Sequence, residues 1–253
     1  MKRALITGAT SGIGLEMAKY LHRHGWQLVL SGRNEKRLKI MAEKFGKNTK
    51  YLALDLSEQD APQKLYQFCE GMQIDFLINN AGFGIFGEFT ETDLNQELEL
   101  IDVNIRAVHI LTKLFLKDFV KRDRGMILNV ASSAGFLAGP LLSSYYASKN
   151  YVVRLSTAIR EELRREGSHV QISVLCPGPV DTNFNNRAGV NFSAKPISAR
   201  YAAEYGIQGT FAGKGILIPT LGMKLGVIAS KFVPEEIAVR FIYELQKAKK
   251  SDM

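Results

Sequence analysis

An α/β fold, a doubly wound parallel sheet of about seven strands with helices on both faces, is what this sequence predicts. Three observations carry it: short apolar runs alternate with stretches of helical spacing, capping residues mark the junctions, and a glycine-rich turn follows the first run.

The runs fall at 4–6 (ALI), 27–31 (QLVLS), 51–54 (YLAL), 75–78 (DFLI), 126–130 (MILNV), 170–175 (VQISVL) and 216–218 (ILI). Their leucine-rich or β-branched character reads as strand. Gly25 and Gly46 stop the first two helices, Asn34 before Glu35 N-caps the second, and Pro234 with two following glutamates opens the last. Two long helices are expected at about 94–122 and 144–166. In the second, Tyr151, Leu155, Ile159 and Leu163 recur every fourth residue as an apolar stripe, and Gly167 ends it. Residues 183–197 (NFNNRAGVNFSAKPI) are irregular and long enough to be a mobile loop. With no repeat, low-complexity tract or linker, residues 1–253 read as a single domain, with a substrate loop and C-terminal helical segment at 183–233 inside it.

The chain has 253 residues, 46% hydrophobic and 23% charged, an ordinary globular composition. Cys69 and Cys176 form no C-x-x-C pair, so neither a disulfide framework nor a zinc site is expected, and a reducing cytoplasm fits. The N-terminal run stops too soon for a signal peptide. A net charge of +8 is scattered over KR at 2–3, EKRLK at 35–39, KRDR at 121–124 and KAKK at 247–250, which argues for solvated faces rather than a nucleic-acid surface. The four histidines, His22, His24, His109 and His169, lack ligand spacing, and no metal is expected. The apolar stretch 216–233 (ILIPTLGMKLGVIASKFV) is broken by Pro219, Lys224 and Lys231, so it is not read as membrane-spanning. Core packing is the plain reading; an interfacial helix touching a membrane, or a lid over an apolar pocket, competes with it.

Chemistry concentrates in the turns after the strands. In LITGATSGIG, Gly8, Gly12 and Gly14 stand between the first strand and a helix, where a pyrophosphate needs close backbone approach and a helix N-terminus. In SSYYASK, Lys149 lies one helical turn after Tyr145. A phenol has a pKa of about 10, and a held positive charge favours phenolate, so a lowered Tyr145 pKa is expected.

The G-x-x-x-G-x-G spacing, NNAG at 79–82, Asn104 in DVNI, SS at 132–133, Tyr145-x-x-x-Lys149 and PGPVDT at 177–182 follow one another in an order that resembles the short-chain dehydrogenase/reductase family, over essentially the whole chain. The resemblance implies a Rossmann-type fold and an enzyme in which hydride passes from a nicotinamide to a carbonyl carbon while Tyr145 gives the oxygen its proton. Ser132, thirteen positions before Tyr145, would polarise the carbonyl. Gly135 and Pro140 keep the family's rhythm between them. Lys149 would bind the nicotinamide ribose, and Asn104 would hold a water that relays protons to it. Tyr146 reads as packing or a pocket wall.

By the same resemblance the dinucleotide would lie over Gly8, Thr10, Ser11, Gly12, Ile13 and Gly14, and along Asn79, Asn80, Ala81 and Gly82. Asp55 and Leu56 would face the adenine, with capping of the following helix as the alternative for Asp55. Tyr145, Lys149, Pro177, Gly178, Val180 and Thr182 would surround the nicotinamide. The second strand ends LSGRN, with no acid at Ser31 or Gly32 to hold ribose hydroxyls and with Arg33 placed for a 2′-phosphate, so NADP(H) is expected over NAD, with stacking of Arg33 on adenine in an NAD enzyme as the alternative.

The expected substrate is a small apolar ketone or aldehyde, or a 3-oxoacyl group, with Phe184, Val190, Phe192 and Ile197 as candidate pocket residues. Family members assemble through the two long helices, which implies a homodimer or homotetramer. A non-catalytic NADP(H)-sensing protein on the same fold is the alternative. Its relatives typically lose the tyrosine or lysine, and both stand here. A nucleic-acid binder would rest on charge alone.

Overall fold

The computed structural model describes residues 2–182 and 196–247. Every run read as a strand becomes one: β1 (Arg3–Thr7), β2 (Gln27–Gly32), β3 (Lys50–Ala53), β4 (Phe76–Asn79), β5 (Met126–Val130), β6 (Gln171–Leu175) and, after a separate pair β7 (Val180–Asp181) and β8 (Ile197–Ser198), β9 (Ile216–Leu217). The helices are α1 (Gly12–Arg23), α2 (Glu35–Phe45), α3 (Ala61–Phe68), α4 (Leu94–Ile101), α5 (Val108–Lys121), α6 (Ser143–Arg165), α7 (Ala199–Phe211), α8 (Leu221–Ser230) and α9 (Glu235–Lys247).

Seven strands form one parallel sheet in the order β3-β2-β1-β4-β5-β6-β9. Alternate residues feed opposite cores. Ala4, Ile6, Phe76 and Ile78 meet Met17 and Leu21 of α1, Leu38 of α2 and Ile207 of α7. Leu5 and Leu77 meet Leu65 of α3, Phe115 and Phe119 of α5 and Leu163 of α6. Strands covered on both faces must be apolar throughout, which is why they read as continuous runs. Chain order reverses between β1 and β4, and the strand ends there diverge into a crevice, the place where such sheets bind ligands.

The buried sheet carries one polar seam. Asn79 Nδ2 donates to Thr112 Oγ1 at 3.1 Å and to Asn129 Oδ1 at 2.9 Å, and Asn129 Nδ2 donates to Ser156 Oγ at 2.9 Å. This seam ties β4 and β5 to α5 and α6, and it corrects one expectation: Asn79 faces the helices, while its neighbour Asn80 turns to the crevice.

The apolar stripe of α6 has the right period and a shifted phase. Tyr151 is 36% exposed and Leu155 and Ile159 are half-buried, and of the four only Leu163 is buried; the rest of the inward face is Ser148, Lys149, Val152, Val153 and Ser156. A four-residue step overshoots a full turn by roughly 40°, so such a stripe drifts around the helix. The long helix expected at 94–122 is interrupted by a π-helical turn at Asp102–Ala107. The 216–233 stretch divides: Leu217 enters the core through β9, but α8 buries only Val227, so core packing does not describe that helix.

Candidate active site

The crevice begins where β1 ends. Thr7 Oγ1 accepts from the backbone N–H of Asn80 at 3.0 Å and of Ala81 at 3.1 Å, locking the end of β4 to that of β1. Asn80 Nδ2 donates to Gly8 O at 3.1 Å. Gly8 has φ +63° and Gly12 φ +52°, conformations that favour glycine. Gly14 is demanded by space: a Cβ there would lie 2.4 Å from both Gly8 O and Asn80 Nδ2. It therefore packs α1 onto the turn and does not itself line the cavity, which corrects the expectation that the dinucleotide lies over Gly14. No carboxylate occupies the first turn of α1, so no side chain of that turn competes with a phosphate for its N–H groups and positive dipole end.

A cavity of about 790 Å³ runs from this turn in two directions. At one end are Arg33, Asp55 and Leu56. Arg33 Nη1 lies 3.3 Å from Asp55 Oδ2. Asp55 also accepts from Ser57 N at 3.0 Å and Ser57 Oγ at 2.9 Å. Partial burial opposes its ionisation, but the Ser57 hydrogen bonds and Arg33 hold its carboxyl below the usual value. Asp55 thus caps a turn at Ser57; the helix that follows starts later, at Ala61, after Asp60.

At the other end stand Ser132, Tyr145 and Lys149. Ser132 follows β5 and Tyr145 lies in the first turn of α6. Gly135 lets the connecting 3-10 turn lie against α6, since a Cβ would sit 2.7 Å from Lys149 O. Tyr145 shares a hydrogen bond with Ser132. Lys149 is 5% exposed and its Nζ donates to Val130 O at 3.1 Å.

Contrary to expectation, Tyr145 is not acidified. The protein packed around its hydroxyl pushes the pKa up to about 12, against the opposing effect of the Ser132 hydrogen bond. Burial also pushes Lys149 down to about 8. Loss of hydration outweighs attraction between the pair because Nζ is turned toward Val130 and stands 5.7 Å from the Tyr145 ring centre.

Asn104 lies in the π turn and is fully buried. Its Oδ1 accepts from Phe83 N at 3.1 Å; its Nδ2 donates to Phe83 O at 2.9 Å and to Ser148 Oγ at 3.1 Å. Both ends of the amide thus engage protein atoms, and Asn104 does not line the cavity. Its work here is to fix the Gly82–Phe83 backbone beside Lys149, which makes it a positioning residue. The wider π turn is what aims it there.

Pro177, Gly178, Val180 and Thr182 close the wall opposite α6, and the Thr182 methyl meets Gly12. Of the candidate substrate residues, Ile197 lies in β8 beside Val180, whereas Phe184, Val190 and Phe192 fall outside the described residues. Sequence reasoning missed Gln246. It comes from α9, is 2% exposed, and donates to Tyr146 Oη at 2.8 Å at the cavity wall. No local pattern signals a contact across a hundred positions. Phe83 and Leu142 complete the apolar side of this end. Among the described residues no cluster of histidine, cysteine and carboxylate side chains could hold a metal.

The donor set fits a dinucleotide: glycines without room for a Cβ under a helix N-terminus, an arginine at one end, a hydroxyl pair and a buried lysine at the other. Fold and site together define a nicotinamide-dependent oxidoreductase. Comparison with known proteins agrees. The short chain dehydrogenase family model matches residues 2–191. A very-long-chain 3-oxoacyl-CoA reductase of Rattus norvegicus is 32% identical over 249 residues, covering 95% of this chain and 76% of that protein. The chain spans only about half the length of other reductases of that name, 52% to 56%. A Sphingobium yanoikuyae short-chain dehydrogenase in complex with NADPH superposes with a TM-score of 0.81 at 27% identity, covering 90% of this chain and 96% of that one. A Burkholderia phymatum enzyme in complex with NAD gives 0.80 at 26% identity, over 89% and 91%. The chain belongs to the short-chain dehydrogenase/reductase family.

Proposed function

We propose that this protein is an NADPH-dependent reductase of apolar carbonyl compounds, with a 3-oxoacyl thioester as the substrate class. The observation that carries it is the single cavity joining Arg33 at one end to Ser132, Tyr145 and Lys149 at the other. When bound, the cofactor supplies the hydride; the protein binds, orients and moves the proton.

Arg33 favours NADPH because its ion pair among the described residues, with Asp55, is long and exposed, and such pairs are worth at most about 1 kcal/mol. A 2′-phosphate offers the guanidinium a stronger, doubly charged partner. Ser132 and Tyr145 present two hydroxyls to one carbonyl oxygen. A phenol whose pKa is about 12 stays protonated at neutral pH, and an alkoxide is a stronger base than a phenolate, so transfer to substrate runs downhill. Reduction uses the protonated phenol, and the reverse oxidation uses the tyrosinate, so the reaction is reversible at one site. Lys149 when charged stabilises the phenolate left behind. The apolar wall of Phe83, Leu142 and Tyr146 suits an acyl chain, and the names of the relatives point to the 3-oxoacyl group. The exposed Leu94, Leu98 and Ile101 of α4 support assembly of copies through the long helices.

The test is a series of 3-oxoacyl thioesters of increasing chain length with NADPH and with NADH. Rates should rise with chain length and favour NADPH, and Arg33→Ala should erase about tenfold of that preference. Equal use of both cofactors, untouched by Arg33→Ala, contradicts the NADPH reading; activity confined to short polar carbonyls contradicts the acyl reading.

The pH profile follows from Lys149. Its pKa of about 8 means the charge is present below that value and lost above it, so kcat/KM for reduction should fall as pH rises through about 8. Tyr145 titrates too high to contribute in that range. A profile flat to the alkaline limit of stability contradicts a role for the ammonium.

A further inference from the structure

Helix α8 is apolar on two sides. Its inner side holds the buried Val227 and Met223, whose Cε packs so closely on Gly178 that a Cβ there would lie 2.6 Å away. Its outer side carries Leu221 at 72% exposure, Leu225 at 57%, Ile228 at 46% and, just past the last turn, Phe232 at 84%. These four stand at i, i+4, i+7 and i+11, a single stripe along the helix. Lys224 and Lys231, seven positions apart, run together along one edge of it. Within α8 and up to Pro234 the charged residues are Lys224 and Lys231; Glu235 and Glu236 follow at the start of α9.

Large side chains so exposed, in one stripe, mark a surface that something covers. A protein partner would meet a rim of mixed polar and charged groups. Along α8 itself the flanking charges are both lysines, set beside the stripe, where their stems can extend outward while the apolar face sinks into a headgroup layer; the exposed Glu235 and Glu236 come only beyond its end, in the first turn of α9. We propose that the outer face of α8 docks on an anionic lipid bilayer. Met223 of the same helix covers Gly178 at the cavity wall, so docking sets the bilayer beside the substrate end of the site. The inference rests on the exposed face and its charges and stands whatever the substrate proves to be.

The experiment is co-sedimentation of the full chain with vesicles of phosphatidylcholine alone and of phosphatidylcholine mixed with phosphatidylglycerol, at low and high salt. Binding is expected to the mixed vesicles, weaker at high salt and weaker still without phosphatidylglycerol. Lys224→Gln together with Lys231→Gln should lower partitioning by about twenty-five-fold, at roughly fivefold per lysine. Leu225→Glu with Phe232→Glu should abolish it, with thermal unfolding and reduction of a water-soluble ketone unchanged. The salt and lipid dependence of the unaltered protein tests the idea even if that variant fails to fold. Absence of vesicle binding, equal binding to neutral vesicles, or an outer face shown by sedimentation velocity to hold two copies together until Leu225→Glu separates them would each overturn it.

Discussion

Tyr145→Phe is expected to lower turnover by a factor on the order of 10³, within the range of 10² to 10⁴ that a positioned proton donor contributes. Dinucleotide affinity, read by quenching of NADPH fluorescence, should change little, since the phenylalanine ring keeps the wall and Lys149 keeps its bond to Val130 O. Ser132 remains and can still polarise a carbonyl, so the residual rate should exceed the uncatalysed one. The structure sharpens what the loss means. The hydroxyl does not act as a pre-formed phenolate, because burial holds it neutral; it acts by being within reach and protonated. Activity retained to within a few-fold would show that another group delivers the proton.

Gly14→Ala should give the second largest effect. The added methyl would collide at 2.4 Å with Gly8 O, a backbone atom that cannot rotate away, and at the same distance with Asn80 Nδ2. Relief requires α1 to lift from the end of β1, which breaks the Asn80–Gly8 hydrogen bond and displaces the helix N-terminus from the phosphate path. Overpacking of this kind costs about 1–3 kcal/mol. Dinucleotide affinity should fall by about tenfold to a hundredfold, and the melting temperature by several degrees, roughly 2–4 °C per kcal/mol at this size. Gly226→Ala is the control: nothing lies within 4 Å of its Cβ, and alanine suits the interior of α8 better than glycine. Unchanged NADPH titration in Gly14→Ala would remove the cradle from the binding site.

What the sequence made legible is what local pattern determines. Strand runs are apolar because both faces of the sheet are covered, so all seven strands and their parallel class could be read in advance. The glycine turn and the pairing of Tyr145 with Lys149 depend on neighbours within a few positions, and the structure gathers them around one cavity. Other features depend on distant atoms. The direction of the Tyr145 pKa is decided by packing from several elements, not by the lysine one turn away. Asn79 and Asn80 were indistinguishable until the sheet gave each a side. Gln246 reaches Tyr146 only because α9 folds back, and the exposure of α8 cannot be told from an apolar string alone.

The π turn at Asp102–Ala107 holds one residue more than ordinary coiling would. Excising Val103 would heal the helix into a regular rod, yet swing Asn104 by roughly 100° about the axis of the preceding helix and free the Phe83 loop. A shortening that looks conservative, and even improves local geometry, would therefore disarm the protein: the irregularity is the working part.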